Sequence, residues 1–393
     1  MPRLAKKNEC CGCAACYSIC EFAAIEIKPD ETGFLYPIIN TEKCKNCNMC
    51  ERSCPVISPL KTKNEVNSYT KAFIIQHKNE YVRKQSTSGG AFSAIAEAII
   101  SLGGVVFGAS MEEGFIVKHT YSETLDNLSK FRNSKYVQSE IGESYKQCKE
   151  FLLEGRWACF SGTPCQINGL LKYLNKKYDR LITIDIVCHS VPSPLIFRKY
   201  MELQQKKYPN AERIVFRDKE LGYSYSTMAI YDKNSVCLYR RGSESDLWFR
   251  SFLPGLCDRE NCYCCTFQEY PRISDITIWD CFAVKDIHPE YDDNLGTTSA
   301  ISWSKKGFDL IVKNDSIRIK EVPINLFIQK IKREHNIKLD INRKEMYIDA
   351  RLLSADQFFK KYRNESIIIK LRRISRELLF KSGFYNFVKS HIK

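Results

Sequence analysis

The sequence predicts a small α+β module at the N-terminus, an α/β core behind it and a basic, mostly helical C-terminal extension. Three observations predict this order. Two cysteine-rich runs flank a short hairpin pattern within the first sixty residues. From about residue 69, strand-like and helix-like segments alternate, which is typical of an α/β core. After residue 310 the chain carries many Lys and Arg residues between apolar residues at helical spacing.

The composition indicates a folded protein of more than one domain. The 393 residues are 44% hydrophobic and 27% charged, and no apolar stretch is long enough for a membrane-spanning helix. No apolar segment follows the first cations of the chain, so we expect no secretory signal and a cytoplasmic protein. Nineteen cysteines in a reducing compartment favour metal binding or redox chemistry over disulfides.

The positive charge is concentrated in the C-terminal extension. Residues 304–393 hold 22 Lys and Arg against 10 Asp and Glu, which is most of the net charge of +14. A charge confined to one end argues against a nucleic-acid partner for the whole protein. Residues 360–393 fit two interpretations. One is a helix lying on an anionic membrane, at the inner membrane face, and the other is an amphipathic helix packed on the protein's own core or on a partner.

Eight of the cysteines follow one repeated spacing, C-x2-C-x2-C-x3-C, and Pro55 follows the second run. Bacterial ferredoxins hold two [4Fe–4S] clusters with this spacing, because three thiolates come from one loop and the fourth serves the other cluster. The first cluster would take Cys10, Cys13, Cys16 and Cys54, and the second Cys44, Cys47, Cys50 and Cys20. A structural zinc ribbon is the alternative, although it usually needs two CxxC pairs. Cys11 lies off the pattern and is interpreted as a small, partly buried thiol.

A hairpin is predicted between the two cysteine runs. The segment AAIEIKPDETGFLYPIIN contains a β-like stretch, a turn at Asp30–Gly33 and a second β-like stretch. With the two runs, it predicts a pseudo-twofold, ferredoxin-like α+β module over residues 1–60.

The core is predicted from the order of its strands and helices. Strands are expected at 72–77, 105–110 and 115–121, and in the segments RWACFSG and LITIDIV. Helices are expected in AFSAIAEAIISLGG, SYKQCKEFLLEG and TPCQINGLLKYLNKK, the last with Thr163 as its N-cap and Pro164 in its first turn.

Two loops and one histidine are candidate ligand-binding positions. Ser86–Gly90 precedes a helix, and Gly162–Cys165 joins a strand to a helix, so both offer backbone N–H groups to a phosphate. A plain capped helix start is the alternative for each loop. His189, beside Cys188, follows a core strand, where α/β proteins form ligand sites, although a lone histidine is more often structural.

Several longer segments carry a family likeness. They are STSGGAFSAIAEAII, SKYVQSEIGESYKQCKEFLLEG, FSGTPCQINGLLKYL, IDIVCHSVPSP, FRDKELGYS, CYCCTFQEYPRISDIT and NLGTTSAI, in this order. Together they resemble the coenzyme F-420 hydrogenase/dehydrogenase beta-subunit family, over roughly residues 69–310. Members with a fused two-cluster ferredoxin domain resemble the chain up to that point. The domains implied are the ferredoxin module 1–60, an N-terminal family domain 69–155, a C-terminal family domain 156–310 and the extension 311–393.

The resemblance implies an iron–sulfur flavoprotein oxidoreductase with an α/β flavin-binding core. A low-potential donor, ferredoxin or a partner subunit, would pass electrons through two [4Fe–4S] clusters to FAD, and the flavin would reduce an organic two-electron acceptor. Acceptors in the family include a deazaflavin coenzyme and a chlorophyll derivative, and such proteins often accompany cell-envelope polysaccharide enzymes. A non-catalytic electron-transfer subunit that needs a partner enzyme is the alternative.

The resemblance also implies site residues. The flavin site would consist of Ser86, Thr87, Ser88, Gly89, Gly90, Ser134, Lys135, Tyr136, Gly162, Thr163, Pro164, Cys165 and Gln166. His189 and Cys188 are the catalytic candidates, to position the substrate or relay a proton.

A third [4Fe–4S] cluster is implied by Cys262 and Cys265, which match a cysteine segment of the family. Its remaining ligands are left open among Cys188, Cys165 and Cys281, and unligated core thiols are the alternative. The chain also departs from the family pattern. Ser190 replaces a glycine, and WDCF at 279–282 stands where the family has Gly-Asp-Phe-Trp, so the family's acceptor is in doubt here.

Overall fold

The computed structural model describes residues 1–60, 66–331 and 342–385, together with Val388. The N-terminal unit consists of α1 Ala15–Ser18, β1 Ile25–Pro29, β2 Leu35–Ile39 and α2 Met49–Ser53. Strands β1 and β2 pair antiparallel with Ile25 opposite Ile39. Asp30 closes the turn between them, because its Oδ1 accepts hydrogen bonds from the backbone N–H groups of Thr32 and Phe34. The predicted hairpin is confirmed.

The two cysteine runs adopt the same backbone conformation. In the first run Gly12 and Ala14 have positive φ angles of 73° and 59°. In the second run Asn46 and Asn48 have positive φ angles of 54° and 57°. These are the second and fourth residues after the first cysteine of each run, and each run then enters a short helix. The repeat in sequence is therefore also a repeat in conformation.

Strands and helices alternate through the rest of the described chain. The first half contains β3 Lys71–His77, α3 Glu80–Gln85, α4 Ala91–Ser101, β4 Val105–Glu112, β5 Ile116–Ser122, α5 Ser144–Leu153, β6 Ala158–Gly162, α6 Pro164–Leu174, β7 Leu181–Ile186 and α7 Pro194–Lys207. The second half contains β8 Arg213–Asp218, β9 Thr227–Tyr231, β10 Cys237–Gly242, α8 Leu247–Phe252, β11 Ile276–Asp280, α9 Val284–Ile287, β12 Thr298–Ser302, α10 Lys305–Val312 and β13 Ile317–Val322. The strands and helices that the sequence predicts for the core are present, including Thr163 as the N-cap of α6.

Eight strands form one mixed sheet in the order β13-β3-β12-β11-β7-β6-β4-β5. Strands β4, β6, β7 and β11 run parallel, and the other neighbours pair antiparallel. One apolar core lies between the sheet and α4, and another contains side chains of α5 and α6. The carboxyl ends of β6, β7 and β11 meet at one edge, which is where ligand sites form in α/β sheets.

The large sheet takes strands from residues 69–155, 156–310 and 311–393. Strands β3, β4 and β5 lie before residue 155, β6, β7, β11 and β12 lie after it, and β13 lies in the segment 311–393. Strand β13 pairs with β3, with Ile317 opposite His77. The segments 69–155 and 156–310 and the first part of the extension therefore share one sheet.

The extension continues with α11 Asn325–Ile331, α12 Arg343–Leu352, α13 Ala355–Arg363 and α14 Ile367–Lys381. Helices α7, α8, α12 and α13 pack with a second sheet, β10-β9-β8, around one apolar core. At its centre Trp248 is fully buried, with its ring 5.0 Å from that of Phe197. Helices α12 and α13 thus pack on the protein's own core, whereas the two interpretations of the tail concern residues 360–393, of which α13 includes only 360–363. None of the side chains of α14 is buried.

Candidate cofactor sites

The eight patterned cysteines line two separate cavities in and beside the N-terminal unit. A cavity of about 690 Å³ between this unit and the core is lined by Cys10, Cys13, Cys16 and Cys54, which we call the first cysteine group. A small surface cavity is lined by Cys20, Cys44, Cys47 and Cys50, the second cysteine group. In each group the fourth thiol comes from the other run, which is the crosswise division that the spacing predicts.

The thiols of these groups are suited to a shared positive centre. Burial raises the pKa of Cys16, Cys50 and Cys54, and the neighbouring thiols of each raise it further. Such sulfurs become thiolates when iron or another cation receives them. Among the described residues, no three Cys, His, Asp or Glu side chains converge as closely as one metal ion requires. A four-iron cluster distributes its ligands more widely, around the corners of a cube.

The N-terminal unit docks on the core through close backbone approaches. A Cβ atom on Gly12 would lie 2.9 Å from the Arg259 guanidinium and from Gln138, and a Cβ on Gly169 of α6 would lie 2.9 Å from the Cys13 sulfur. Arg259 is fully buried and donates from Nη1 to the Leu35 carbonyl at 3.1 Å. The first cysteine group is therefore held directly against the core.

A third cysteine group consists of Cys165, Cys188, Cys262 and Cys265. Cys165 follows β6, Cys188 follows β7, and the other two lie in or beside the 3₁₀ turn Glu260–Cys264. Burial raises the pKa of the Cys188 and Cys262 thiols, and each is raised further by neighbours in the same group. Burial likewise raises the pKa of Cys265 to about 11, with Cys165 next in effect. The four thiols are thus close enough to interact electrostatically.

The structure separates the candidates that the sequence left open for this group. It brings Cys165 and Cys188 to Cys262 and Cys265, whereas Cys281 lies in a different apolar core, with Val284 and Tyr291. Cys188 therefore belongs to the third cysteine group and also lies just after the carboxyl end of β7.

A buried cation accompanies the third cysteine group. The guanidinium of Arg272 is 2% exposed and lowers the pKa of Cys188 and Cys265 against the larger effect of burial. Its Nη1 donates to the Phe267 carbonyl, while Nε and Nη2 have no hydrogen-bond partner among the described residues. Arg272 also acts on the buried Asp185, whose pKa burial raises and the guanidinium lowers, so its charge faces a carboxyl group as well as the thiols. A buried cation there fits a site whose thiolates carry net negative charge.

Cys11, which the spacing leaves over, connects two of the groups. Its thiol lies beside the thiols of Cys13 and Cys165, which act in opposite directions on its pKa, and it is buried, at 7% exposure. The interpretation as a small buried thiol holds, and the structure adds its position between the first and third cysteine groups.

A cavity of about 1060 Å³, which we call the core cavity, opens at the carboxyl ends of β6, β7 and β11. Of the thirteen residues that the family resemblance assigns to a flavin, the lining includes Ser86, Thr87, Ser88, Gly90, Ser134, Lys135, Tyr136, Gly162, Thr163, Cys165 and Gln166. Gly89 and Pro164 are buried and do not line it; Gly89 donates its N–H to Thr298 Oγ1 at 2.8 Å. Cys188 and His189 line it as well, so both catalytic candidates lie beside the implied flavin residues.

The loop Ser86–Gly90 is held in place by its own hydrogen bonds. Thr87 Oγ1 lies 2.9 Å from Ser134 Oγ, which joins two of the implied flavin segments. Ser88 Oγ lies 2.8 Å from Thr298 Oγ1. Lys219 Nζ donates to the carbonyls of Ser88 at 2.8 Å and Leu295 at 2.7 Å. The loop is therefore preorganised in front of the α4 N-terminus.

The loop after β6 is fixed by a capping box. Thr163 N–H donates to Gln166 Oε1 at 2.9 Å, and Gln166 Nε2 donates to Ser139 Oγ at 2.9 Å. This bond ties the first turn of α6 to the segment that carries Lys135. Burial lowers the pKa of Lys135 to about 7, and its Nζ donates to the carbonyls of Lys130 at 2.7 Å and Arg132 at 2.8 Å.

The catalytic candidate His189 stands at one wall of the core cavity. Its Nε2 lies 3.1 Å from the Leu253 carbonyl, which it donates to as the Nε2–H tautomer, and its ring meets the edge of Phe252 at 5.0 Å. Phe252 also packs against Tyr136, with ring centroids 5.1 Å apart. The imidazole is thus oriented by both polar and aromatic contacts.

Sequence reasoning missed two functional candidates in this cavity. Arg217 and Asp280 form an ion pair with contacts of 3.2 Å to both carboxylate oxygens, and Tyr223 donates its hydroxyl to Asp280 at 2.7 Å. His119 is buried, burial lowers its pKa to about 4, and its Nδ1 has no hydrogen-bond partner in the described part of the chain. Arg217 lies in the quoted segment FRDKELGYS, which was the one signal for it, whereas nothing local marks His119.

The altered WDCF segment borders the same cavity. Trp279, Asp280 and Phe282 belong to its lining, and Phe282 is 72% exposed. The Trp279 ring meets the edge of Phe327 at 5.0 Å. Two of the residues in which this segment departs from the family pattern, Trp279 and Phe282, therefore border the core cavity, whereas Cys281 does not.

The comparisons with known proteins agree in part with the family resemblance. Residues 155–325, a little under half of the chain, match the family that comprises the C-terminal part of the coenzyme F420 hydrogenase/dehydrogenase beta subunit. The chain is similar to that family over this stretch, and the family of hydrogenase and dehydrogenase beta subunits indicates an electron-transfer role of the oxidoreductase type. No curated protein matches the chain.

One similar solved structure is described as "Xenon derivatization of the F420-reducing [NiFe] hydrogenase complex from Methanosarcina barkeri". The sequence identity is 12%, and the match covers 77% of this chain and 95% of that chain. The TM-score is 0.38, a value too low to establish a common fold.

Proposed function

We propose that this protein is an iron–sulfur flavoprotein oxidoreductase that passes electrons from a donor protein to an organic two-electron acceptor. Iron–sulfur clusters carry single electrons, and a flavin exchanges one or two, so the pair converts one kind of transfer into the other. The observation that carries the proposal is that two cavities are separated by the same residues. The cavity of the first cysteine group and the core cavity are both lined by Cys11, Gly12, Val137, Gln138 and Ser139.

The order of the cysteine groups supports a path from the surface inward. Cys47 of the second group is exposed, and the exposed apolar side chains of Phe22 and Met49 line the same small cavity. The first group lies at the interface with the core, and the third lies beside the core cavity. Under the proposal these residues hold three [4Fe–4S] clusters in that order, with the donor, ferredoxin or a partner subunit, docking at the second group.

The residues of the core cavity suit FAD. The N-termini of α4 and α6 both open towards it, and each offers backbone N–H groups to a pyrophosphate. Thr87 and Ser134 share one hydrogen bond, so the pair has one further hydroxyl proton to donate to a ribose or phosphate oxygen. His189, which also lines the cavity, is proposed to orient the acceptor or to exchange a proton with it.

The acceptor is proposed to be an organic molecule that enters beside the WDCF segment. Arg217, paired with Asp280, is the cation best placed to orient an anionic group there. The deazaflavin coenzyme of the family is not carried over, because Trp279 and Phe282 replace the family residues at this border. The link to cell-envelope polysaccharide metabolism rests on the family resemblance alone.

Quantifying iron, sulfide and flavin after anaerobic purification tests the proposal. Three clusters and one FAD predict about twelve irons and one flavin per chain, and two clusters predict about eight irons. Brown protein with broad visible absorbance is expected. A colourless protein with stoichiometric zinc would contradict the proposal and support the zinc alternative.

Cysteine variants test the third group. Cys165→Ser and Cys265→Ser are each expected to lose about four irons, because a cubane that lacks one thiolate ligand is held poorly. Cys264→Ser is the matched control, since Cys264 is exposed and lies between Cys262 and Cys265. Equal iron loss in the control would show that the turn, rather than the ligand set, was disturbed.

A second candidate function is a non-catalytic electron-transfer subunit. The exposed apolar residues around the second cysteine group favour contact with another protein under either function. Turnover distinguishes the two. Reduction of a small quinone or dye by the purified protein, with reduced ferredoxin as donor, supports an enzyme, and turnover only after a partner is added supports the non-catalytic role.

A further inference from the structure

Helix α14 carries an apolar stripe on the side that faces away from the protein. The stripe consists of Ile367, Leu371, Ile374 and Leu378, which follow each other at spacings of four, three and four residues. Their exposed fractions are 76%, 59%, 46% and 62%. Side chains at this spacing share one face of a helix, so the four aliphatic groups form one continuous surface.

The opposite face of α14 holds the helix on the protein. Arg376 pairs with Glu244, and its guanidinium lies 4.3 Å from the centroid of the Tyr225 ring. Arg373 pairs with Glu365 at 3.4 Å, and the Phe380 ring lies 4.6 Å from that of Tyr225. Packing on the protein therefore covers the face of α14 that carries Arg373, Arg376 and Phe380. The apolar stripe on the other face stays exposed.

Positive charge borders the stripe. Lys370 and Lys381 lie on one flank of it together with the exposed Glu377, and Arg372 is exposed further round the helix, towards Arg376. No ion pair links these three cations to a carboxylate in the described ranges 1–60, 66–331 and 342–385. From 360 to 393 the sequence has ten basic and two acidic residues. A second copy of the chain would bring the same cations against each other, whereas an anionic lipid surface complements them.

We propose that α14 lies in the interface of an anionic membrane, with the stripe of Ile367, Leu371, Ile374 and Leu378 among the acyl chains. A helix of 15 residues is about 22 Å long, which is shorter than the hydrocarbon core of a bilayer. No helix in the described part of the chain has the length and apolarity to cross a membrane. The contact is therefore peripheral. It is independent of the proposed redox function.

Co-sedimentation of the full chain with lipid vesicles tests this proposal. Wild-type protein is expected to bind vesicles that contain phosphatidylglycerol and to bind pure phosphatidylcholine vesicles about tenfold or more weakly. Leu371→Glu and Leu378→Glu are each expected to weaken binding to the anionic vesicles by about tenfold or more, because each removes an inserted side chain and adds a negative charge. Lys370→Gln with Lys381→Gln is expected to weaken binding to the anionic vesicles alone.

Leu352→Glu is the matched control, because Leu352 is 77% exposed at the end of α12 and lies outside the stripe. It is expected to bind like wild type. Equal binding of wild type to both vesicle types, or no binding to either, would overturn the proposal. So would a wild-type dimer that Leu371→Glu dissociates without any vesicle binding. Iron and flavin contents, measured on the same samples, are expected to be unchanged, which separates this result from the proposed redox function.

Discussion

The guanidinium of Arg259 donates from Nε to the backbone carbonyl of Cys10 at 2.7 Å, and its Nη2 lies 3.6 Å from the Cys10 sulfur. The Arg259 carbonyl accepts the N–H of Cys262 at 2.9 Å. The buried Arg259 thus contacts the first cysteine group through its side chain. Its backbone adjoins the 3₁₀ turn Glu260–Cys264, which carries Cys262 of the third cysteine group and is followed by Cys265. The Tyr36 ring, 4.0 Å below the guanidinium, shields it from water.

Replacing this cation is expected to shift the potential of the first group's cluster. A positive charge beside a cluster stabilises the reduced, more negative state, so Arg259→Met should make the reduction potential more negative by on the order of tens of millivolts. A redox titration followed by electron paramagnetic resonance measures the shift. Arg259→Lys keeps the positive charge, so its reduction potential should stay nearer to the wild-type value. This variant also serves as the test if Arg259→Met folds poorly.

Arg318→Met is the control for this variant, because Arg318 stacks on Tyr291 at 3.9 Å, outside the cysteine groups. It should leave the potential unchanged. A wild-type potential in Arg259→Met with its full iron content would show that Arg259 only holds the two units together.

Gly12→Ala is expected to destabilise the protein more than Gly103→Ala, although the two glycines have nearly the same positive φ angle. Gly12 has a φ of +73°, and an added Cβ would meet Arg259 and Gln138 at 2.9 Å. Gly103 has a φ of +71° with nothing within 4 Å of its Cβ position. Each alanine should cost about 1 kcal/mol through the backbone, and Gly12→Ala should cost about 1–3 kcal/mol more through overpacking. Thermal unfolding of anaerobic samples measures both, and equal losses would mean that Arg259 and Gln138 move aside freely.

Lys135 is expected to make stability depend on pH. Burial lowers its pKa from the ordinary 10.5 to about 7, so between these values the unfolded chain binds a proton that the folded chain does not. Stability should therefore rise with pH across this window, and the cost of the buried charge should be complete below pH 7. Lys135→Met should show a flatter profile of melting temperature across the same window. Lys130→Met is the control, and a wild-type slope in Lys135→Met would contradict the assignment.

His189→Ala is expected to slow reduction of the acceptor by about a hundredfold at matched flavin content, because a positioned imidazole contributes that much as an acid or base. Reduction of the iron–sulfur centres by the donor should be unchanged, and stopped-flow spectroscopy resolves the two steps. His288→Ala is the control. His288 Nδ1 lies 2.9 Å from Glu290 Oε1, and His288 does not line the core cavity. Acceptor reduction at the wild-type rate in His189→Ala would leave the histidine a structural role only.

Prediction from the sequence worked best where the signal is local. The turn at Asp30, the capped start of α6 and the alternating strands each depend on a few consecutive residues, and the structure confirms them. It worked less well where partners are distant in the chain. Three candidates remained for the third cysteine group because its members come from loops after β6 and β7 and from the turn at 260–264. Arg259 and His119 had no signal at all, since their roles depend on burial.

The sequence by itself determined that two cysteine runs share one spacing and that an α/β core follows, because ligand spacing and strand–helix alternation are properties of neighbouring residues. Only the tertiary structure decided which distant residues meet. It divided the patterned thiols into two cavities, joined Cys11 to Cys165 and turned the apolar face of α14 outward. The reason is physical. Side chains far apart in the chain meet only when buried surfaces pack, and packing depends on the whole fold rather than on any local pattern.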